Sequence, residues 1–315
     1  MTQNLEVFDF FYFLCNPGSE KFLKEEIKLI YPELKFAYST EGFLTFKATR
    51  KLGKTLKPVF CRHFGHFIAR GTLEEMQKKA SELKLPVRFY SKDGEIYLNP
   101  DIAFNSKALE IIRVDSIVKD FPKTEFYLGE FYNNHLTSPH PGGFSPIQLP
   151  EGAPSRAYLK ILEAIDFVGA KLQIDEHALE IGSSPGGATY AILEKGLSVE
   201  GIDPGLMSPV CLNHPKFFHH HCSIQDFKVH MLQDHVHWLL VDMNLPPEGT
   251  LAEIEKVVDK IRPSLKGAFI TLKMTKFENV KRVPMYLSIV GKMGLKVVMA
   301  TQLPSHKLEF LIYAE

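Results

Sequence analysis

A strand, a glycine-rich turn and a helix start follow one another directly in the second half of this 315-residue chain. Glycine allows backbone conformations and close approaches that a Cβ atom blocks. At the carboxyl end of the first strand of a parallel α/β sheet, such a turn forms a ligand crevice. A tight turn without a ligand is the alternative. We predict a binding turn made of Gly182, Ser183, Ser184, Pro185, Gly186 and Gly187.

Apolar strands and amphipathic helices alternate along this half of the chain. Helices are predicted over residues 155–169, 187–195, 251–261 and 279–293, and strands over 178–181, 198–202, 237–241, 268–272, 296–300 and 309–313. Near-continuous apolar strands are typical of parallel sheets that are buried on both faces. The alternation therefore predicts an α/β fold, a Rossmann-like, doubly wound and mostly parallel sheet.

The chemistry of the turn favours a nucleoside ligand without phosphates. The turn lacks the spacing Gly-x-Gly-x-x-Gly, and Pro185 stands where a pyrophosphate-binding loop presents an amide donor. This disfavours a nicotinamide dehydrogenase and favours S-adenosylmethionine. Asp203 ends the next strand and can accept hydrogen bonds from both ribose hydroxyls. Asp226, beyond the third strand, can accept from the adenine amino group or be a solvent-exposed loop carboxylate.

Four ionisable residues adjoin apolar elements at the same predicted edge of the sheet. Lys160 lies in the first helix, and Asp242 and Lys273 each follow a strand. Glu309 begins the last strand. Burying a charge is costly unless the charge is paired, so four such residues together predict a catalytic cluster rather than four solvated strand ends.

Five segments that include these residues resemble FtsJ-type ribose 2′-O-methyltransferases. They occur in the family's order at residues 154–160, 182–187, 242–244, 272–274 and 308–313, so that the resemblance covers roughly residues 153–315. The family uses S-adenosylmethionine and a Lys-Asp-Lys-Glu tetrad. The resemblance implies that Lys160, Asp242, Lys273 and Glu309 are catalytic and that Asp242 also lies beside the methyl donor. Ala188 stands where many relatives carry Trp, which changes packing but removes no reacting group.

The expected chemistry needs a general base and no metal. Lys273 is the candidate base, which requires a neutral amine, and we expect Lys160 and partial burial to lower the pKa of Lys273. Asp242 would orient Lys273, and Glu309 would position Lys160 or the ribose. The residues after Asp242 do not form the Asp/Asn-Pro-Pro-aromatic motif, which weighs against methylation of a base nitrogen.

The first half of the chain is predicted to be α+β. Residues 15–27 resemble the start of the RNA-binding region, with a THUMP domain, that precedes the catalytic domain in family members that methylate a cytidine ribose of 23S rRNA. We predict a ferredoxin-like or THUMP-type domain over residues 1–138, a Pro/Gly-rich linker over 139–153 and the methyltransferase domain over 154–315. Strands are expected at 7–15, 35–38, 43–46, 87–90, 95–98 and 125–133, and helices at 20–31, 73–83 and 102–113.

The distribution of charge predicts an RNA surface although the net charge is zero. Seven basic residues and no acid lie between Gly42 and Leu73, interleaved with aromatic rings that can stack on bases. The alternative is a solvated face beside core phenylalanines. The candidate RNA contacts are Lys47, Arg50, Lys51, Lys54, Lys57 and Arg62, with Lys276 in the second half.

The expected class is a cytoplasmic enzyme. The four cysteines are irregularly spaced and are expected to be reduced thiols, and no apolar stretch predicts a membrane anchor. The clustered histidines lack a zinc-ligand spacing, so we expect no metal. The resemblance implies methylation of rRNA, a 23S rRNA cytidine before ribosome assembly is complete, with no DNA partner. The alternatives are a tRNA or another rRNA site, or a non-catalytic RNA-binding or assembly factor that retains the fold.

Overall fold

The computed structural model describes residues 10–315, apart from residues 54, 95, 99–101, 119, 136, 234 and 275. The chain divides between Phe144 and Ser145 into two compact units. Residues 139–144, part of the predicted linker, lie in the first unit, where Pro141–Gly143 form a 3₁₀ turn.

The first unit is built on one mixed sheet. In chain order its elements are β1 (Phe10–Leu14), α1 (Glu20–Ile30), β2 (Leu34–Thr40), β3 (Phe43–Ala48), β4 (His63–Gly71), α2 (Leu73–Leu83), β5 (Val87–Ser91), β6 (Ile96–Leu98), β7 (Ser106–Val118) and β8 (Phe121–Asn133). Within the described residues, eight strands take the order β2-β3-β1-β4-β8-β7-β5-β6, and the β5–β7 pair is parallel. The ferredoxin-like or THUMP assignment stays a prediction.

The helix predicted over residues 102–113 is wrong, because this segment enters β7 and pairs with β8. Ile111 belongs to the core under α2, and Ile112 belongs to a second core. Successive strand residues point to opposite faces, so both faces of β7 are covered. Such a run lacks the polar alternation that distinguishes a strand from a buried helix. Strand β4 was not predicted, and residues 7–9 and 95 of two predicted strands lie outside the described residues.

Tyr12 on β1 reaches across the sheet to a fully buried carboxylate on β7. Its hydroxyl donates to Glu110, which also bonds His63 Nε2 at 2.7 Å and Arg88 Nη2 at 2.7 Å. Burial alone would raise the pKa of Glu110, but His63 and Arg88 lower it to about 2. Gly129 on β8 leaves room for the ring, because a Cβ atom there would overlap Tyr12 Cε1.

In the second unit, helices and strands alternate. In chain order its elements are α3 (Ala157–Val168), β9 (His177–Ile181), α4 (Gly187–Glu194), β10 (Ser198–Ile202), α5 (Pro209–Leu212), β11 (Phe217–His220), β12 (Trp238–Val241), α6 (Pro247–Ile261), β13 (Gly267–Lys273), α7 (Val283–Lys292), β14 (Val297–Thr301) and β15 (Glu309–Ala314). Seven strands of the described part form one sheet, in the order β11-β10-β9-β12-β13-β15-β14. Strands β9 to β13 pair in parallel, and β15 is antiparallel to both β13 and β14.

This strand order confirms the predicted Rossmann-like, mostly parallel sheet. The chain moves outward from β9 to β10 and β11 and then returns to β12 on the other side of β9. A ligand crevice forms at the carboxyl ends of strands where the order reverses in this way. The functional region is therefore expected beyond the ends of β9 and β12.

Local chemistry accounts for the ends of several helices. Thr72 and Glu75 form a reciprocal capping box at the start of α2, which confirms the helix predicted at 73–83. The last predicted helix starts later than expected, because Phe277–Arg282 form a 3₁₀ helix and Pro284 sits in the first turn of α7. Among the described residues, each helix is too short or too polar to cross a lipid bilayer.

We expect Gly129→Ala to destabilise the first unit by about 1–3 kcal/mol, because the new methyl group displaces the Tyr12 ring. Gly53→Ala is the matched control, since a Cβ atom there makes only an ordinary contact at 3.6 Å with Glu33 Oε1. Urea unfolding of both variants measures the difference. Equal midpoints for Gly129→Ala and the native chain would contradict the described packing.

Candidate active site

The fold brings the four predicted catalytic residues together from four elements. Lys160 projects from α3, Asp242 follows β12, and Lys273 is the last residue of β13. Glu309 begins β15 and stands directly opposite Lys273 in the antiparallel β13–β15 ladder. Directly opposite residues in such a ladder have neighbouring side chains on one face. We call these four residues the tetrad.

Each lysine of the tetrad contacts both carboxylates. Lys160 Nζ lies 3.0 Å from Asp242 Oδ2 and 2.7 Å from Glu309 Oε1. Lys273 Nζ lies 2.6 Å from Asp242 Oδ1 and 2.8 Å from Glu309 Oε2. The four ion pairs form a closed ring with no net charge when both lysines are protonated. The side chains range from 9% exposed for Glu309 to 24% for Asp242, so the ring is partly accessible to solvent.

The expectation that the pKa of Lys273 is lowered is wrong. Burial lowers its pKa, but the Asp242 and Glu309 carboxylates outweigh burial and raise it above the usual lysine value. Sequence reasoning considered Lys160 as a neighbouring cation but not the two carboxylates in direct contact. In the resting tetrad Lys273 is therefore an ammonium group at neutral pH.

A buried histidine beside the tetrad was missed. His306 is 3% exposed, and burial lowers its pKa to about 4, so the imidazole is neutral at pH 7. Burial would raise the pKa of Glu309, but His306 and the lysines hold it at about 2. The available signal was the position of His306, three residues before Glu309 in the loop that leads into β15.

The glycine-rich turn fits closely against the carboxyl end of the sheet. Gly182 has φ +89°, and a Cβ atom there would lie 2.6 Å from Asp242 O. Gly186 has φ +112° and Gly187 begins α4. Ser183 Oγ is buried and has no hydrogen-bond partner in the described part of the chain. Pro185 is exposed at the tip of the turn.

The other predicted cofactor residues follow neighbouring strands. Asp203 comes directly after β10, where its Oδ1 accepts from Gly205 N at 2.6 Å. Ser184 Oγ donates to Leu206 O at 2.8 Å, which joins the glycine-rich turn to the loop after Asp203. Asp226 is exposed in the turn beyond β11, where its Oδ2 accepts from Ser223 Oγ at 2.7 Å.

A second buried carboxyl, Glu180 on β9, was also missed. Burial raises its pKa to about 8, and its Oε2 accepts from Thr189 Oγ1 at 2.5 Å. Glu180 lines a cavity of about 30 Å³ together with Lys160 and Asp242. The signal in the sequence was a charged residue inside an apolar strand, two residues before Gly182.

The predicted RNA contacts differ in accessibility. Arg62 is 2% exposed, and its guanidinium donates to Cys15 O, to Gly142 O at 2.9 Å and to Lys92 O at 2.6 Å. The guanidinium donors of Arg62 are thus bonded to carbonyl oxygens inside the protein. This corrects the expectation that Arg62 contacts RNA. Lys54 lies outside the described residues. The exposed candidates are Lys47, Arg50, Lys51, Lys57 and Lys276.

One of the clustered histidines, His220, shares a carboxylate with His177. Glu200 Oε2 lies 3.3 Å from His177 Nε2, and its Oε1 lies 2.5 Å from His220 Nε2. His219 and His221 instead bond the carbonyl oxygens of residues 203 and 204. Within the described residues, no group of three or more His, Cys, Asp or Glu side chains is arranged to hold a metal ion.

The sheet order, the glycine turn and the position of the crevice define a Rossmann-like domain. Residues 153–287 match the family model described as FtsJ-like methyltransferase. The match assigns residues 153–287 to an FtsJ-like methyltransferase domain, which is less than half of the chain.

Curated relatives share the same region. "Ribosomal RNA large subunit methyltransferase M" of Yersinia enterocolitica is 33% identical over 123 residues, which are 37% of this chain and 33% of that protein. The Yersinia pestis protein of the same name is 32% identical over 136 residues, 41% of this chain and 36% of that protein. The match thus spans about a third of the length of these relatives. The solved structure of TrmN from Thermus thermophilus aligns with 98% of this chain over 99% of its own chain. The aligned residues are 12% identical, and the TM-score is 0.37.

Proposed function

We propose that this chain is an S-adenosylmethionine-dependent methyltransferase that modifies a ribose 2′-hydroxyl of rRNA. The observation that carries the proposal is the closed ring of ion pairs formed by the tetrad beside the sheet's crevice. The names of the Yersinia relatives support large-subunit rRNA as the substrate. The narrower assignment, a cytidine of 23S rRNA before ribosome assembly is complete, follows from the resemblance of residues 15–27.

The crevice has the features that a methyl donor needs. The absence of a Cβ atom at Gly182 lets the turn pack against the backbone of Asp242 at the end of β12, and Ser183 Oγ is a buried polar atom with no partner among the described residues. The carboxylates Asp203, Asp226 and Asp242 follow β10, β11 and β12. We assign these residues and the rest of the turn, residues 182–187, to binding of S-adenosylmethionine. When bound, S-adenosylmethionine supplies a methyl group on a sulfonium for in-line displacement.

The tetrad residues take separate roles in this proposal. Lys273 in its neutral form would accept the proton of the ribose hydroxyl as that oxygen displaces the donor's sulfur, which would leave as a neutral thioether. Asp242 and Glu309 hold the Lys273 amine by direct contacts of 2.6 and 2.8 Å. Lys160 balances both carboxylates, so that Lys273 can be neutral without leaving two unpaired anions.

We expect Lys273→Ala to abolish methyl transfer to RNA while S-adenosylmethionine binding stays near normal, because Lys273 is not among the residues assigned to the donor. Transfer of tritium from labelled donor to total RNA measures methyl transfer, and calorimetry measures S-adenosylmethionine binding. Lys256→Ala, which removes an exposed lysine from α6, is the control and should keep native activity.

Turnover retained in Lys273→Ala would remove Lys273 from the role of base. Label found in tRNA would support the alternative substrate, and absence of label with the native chain would support a non-catalytic factor.

We expect the single-turnover rate at saturating substrates to rise about tenfold per pH unit between about pH 6 and 9. The raised pKa of Lys273 leaves the amine protonated across this window, so each unit of pH increases its neutral fraction about tenfold. Rapid quenching of pre-formed complexes at each pH measures the rate. A rate that is independent of pH would argue against a lysine base.

For the first unit, we propose that Lys47, Arg50, Lys51 and Lys57 contact RNA phosphates, with Lys276 contacting RNA from the second unit. We expect Lys51→Ala and Lys57→Ala each to reduce the slope of log affinity against log salt by about 1, because each contact releases counterions. Lys79→Ala, which removes an exposed lysine from α2, is the control. A slope unchanged in both variants would exclude these lysines from the RNA surface.

A further inference from the structure

A partly buried contact joins α3 to the loop that precedes β15. Glu163 is 6% exposed, and its Oε2 accepts hydrogen bonds from Ser305 N at 3.0 Å and from Ser305 Oγ at 2.6 Å. Burial raises the pKa of Glu163, whereas the two bonds from Ser305 lower it. Glu163 comes three residues after Lys160, so the two side chains leave the same side of the helix.

The loop over residues 302–308 is held together by its own hydrogen bonds. Gln302 Nε2 donates to Lys307 O at 2.8 Å. Leu303 N donates to His306 Nδ1 at 3.2 Å, and His306 N donates to Leu303 O at 3.0 Å. Gln302, Leu303 and His306 are each buried. A loop bonded in this way keeps Ser305 at a fixed offset from Glu309, the next residue of the chain after the loop.

Helix α3 therefore contacts the loop and the first residue of β15 at two points about one helical turn apart. One point is the Lys160–Glu309 ion pair at 2.7 Å, and the other is the Glu163–Ser305 contact. The Lys160–Glu309 pair alone fixes only one point between α3 and β15, and the Glu163–Ser305 contact adds a second point that restrains rotation about the first. The second contact is partly buried and does not involve a tetrad side chain.

We propose that Glu163 and Ser305 are positioning residues that set the distance between Lys160 and Glu309 and thereby the geometry of the tetrad. The inference rests on the proposed function and adds two residues to it, neither of which touches the reacting atoms. Misplacement of a catalytic group by about 1 Å lowers the rate of the chemical step without weakening substrate binding. The role thus predicts an effect on kcat that is separate from KM.

The kinetic test uses three serine variants. We expect Ser305→Ala to lower kcat about fivefold, with KM for S-adenosylmethionine and for RNA within about twofold, because one of the two bonds to Glu163 is lost. Ser305→Thr keeps the hydroxyl and should restore kcat. Ser264→Ala is the matched control. The Ser264 hydroxyl, like that of Ser305, donates hydrogen bonds within the protein, to Val236 O at 2.8 Å and Ile261 O at 3.1 Å, but Ser264 lies outside the loop. Native kcat in Ser305→Ala, a change in KM alone, or failure of Ser305→Thr to restore kcat would overturn the proposal.

Crystal structures of Ser305→Ala and Glu163→Ala give a readout that needs no turnover. We expect the distance from Lys160 Nζ to Glu309 Oε1 to open beyond about 4 Å, the usual limit of an ion pair, and to stay near 2.7 Å in Ser264→Ala. If Glu163→Ala fails to fold, Ser305→Ala decides alone. An inactive native chain with this opening would refute the proposed function and support the positioning role. An active native chain whose variants keep the short distance would refute the positioning role.

Discussion

The functional half of this chain depends on one closed set of charges, two lysines and two carboxylates that contact one another in pairs. Removing an ion from water costs several kcal/mol, which one partner rarely offsets in full. Here each ammonium bridges both carboxylates, so every charge has two opposite charges within 3.0 Å. Loss of one member leaves an uncompensated charge in a partly buried site, which typically costs roughly 3–5 kcal/mol. The four residues therefore work as a unit.

The fold explains why residues far apart in sequence reach this arrangement. Strands β12 and β13 are parallel neighbours, so Asp242 and Lys273 emerge at the same sheet edge. Strand β15 runs the opposite way beside β13, which places its first residue, Glu309, opposite the last residue of β13. Helix α3 brings Lys160 to the ring, and the Glu163–Ser305 contact joins that helix to the loop before Glu309. The antiparallel strand thus completes a site that parallel strands alone leave open.

Much of this architecture could be predicted from local patterns, and the exceptions share a physical cause. The Rossmann-like sheet was predictable because its strands are apolar, its helices are amphipathic, and its glycines mark the turn after β9. Strand β7 was not, because both of its faces are covered and its pattern resembles a buried helix. Arg62 looked like an RNA contact because sequence gives charge but not burial. The direction of the shift in the pKa of Lys273 was missed because it depends on which charged groups lie within 3 Å, and only the fold determines that.

The claim that the tetrad methylates a ribose of rRNA is tested most directly on the RNA itself. A 2′-O-methyl group blocks alkaline cleavage of the adjacent phosphodiester bond, so nuclease mapping can locate each protected linkage. We predict that rRNA from cells lacking this protein loses one alkali-resistant linkage in the large-subunit RNA, and that the purified chain restores it with S-adenosylmethionine. Identical maps from cells with and without the protein would contradict the account.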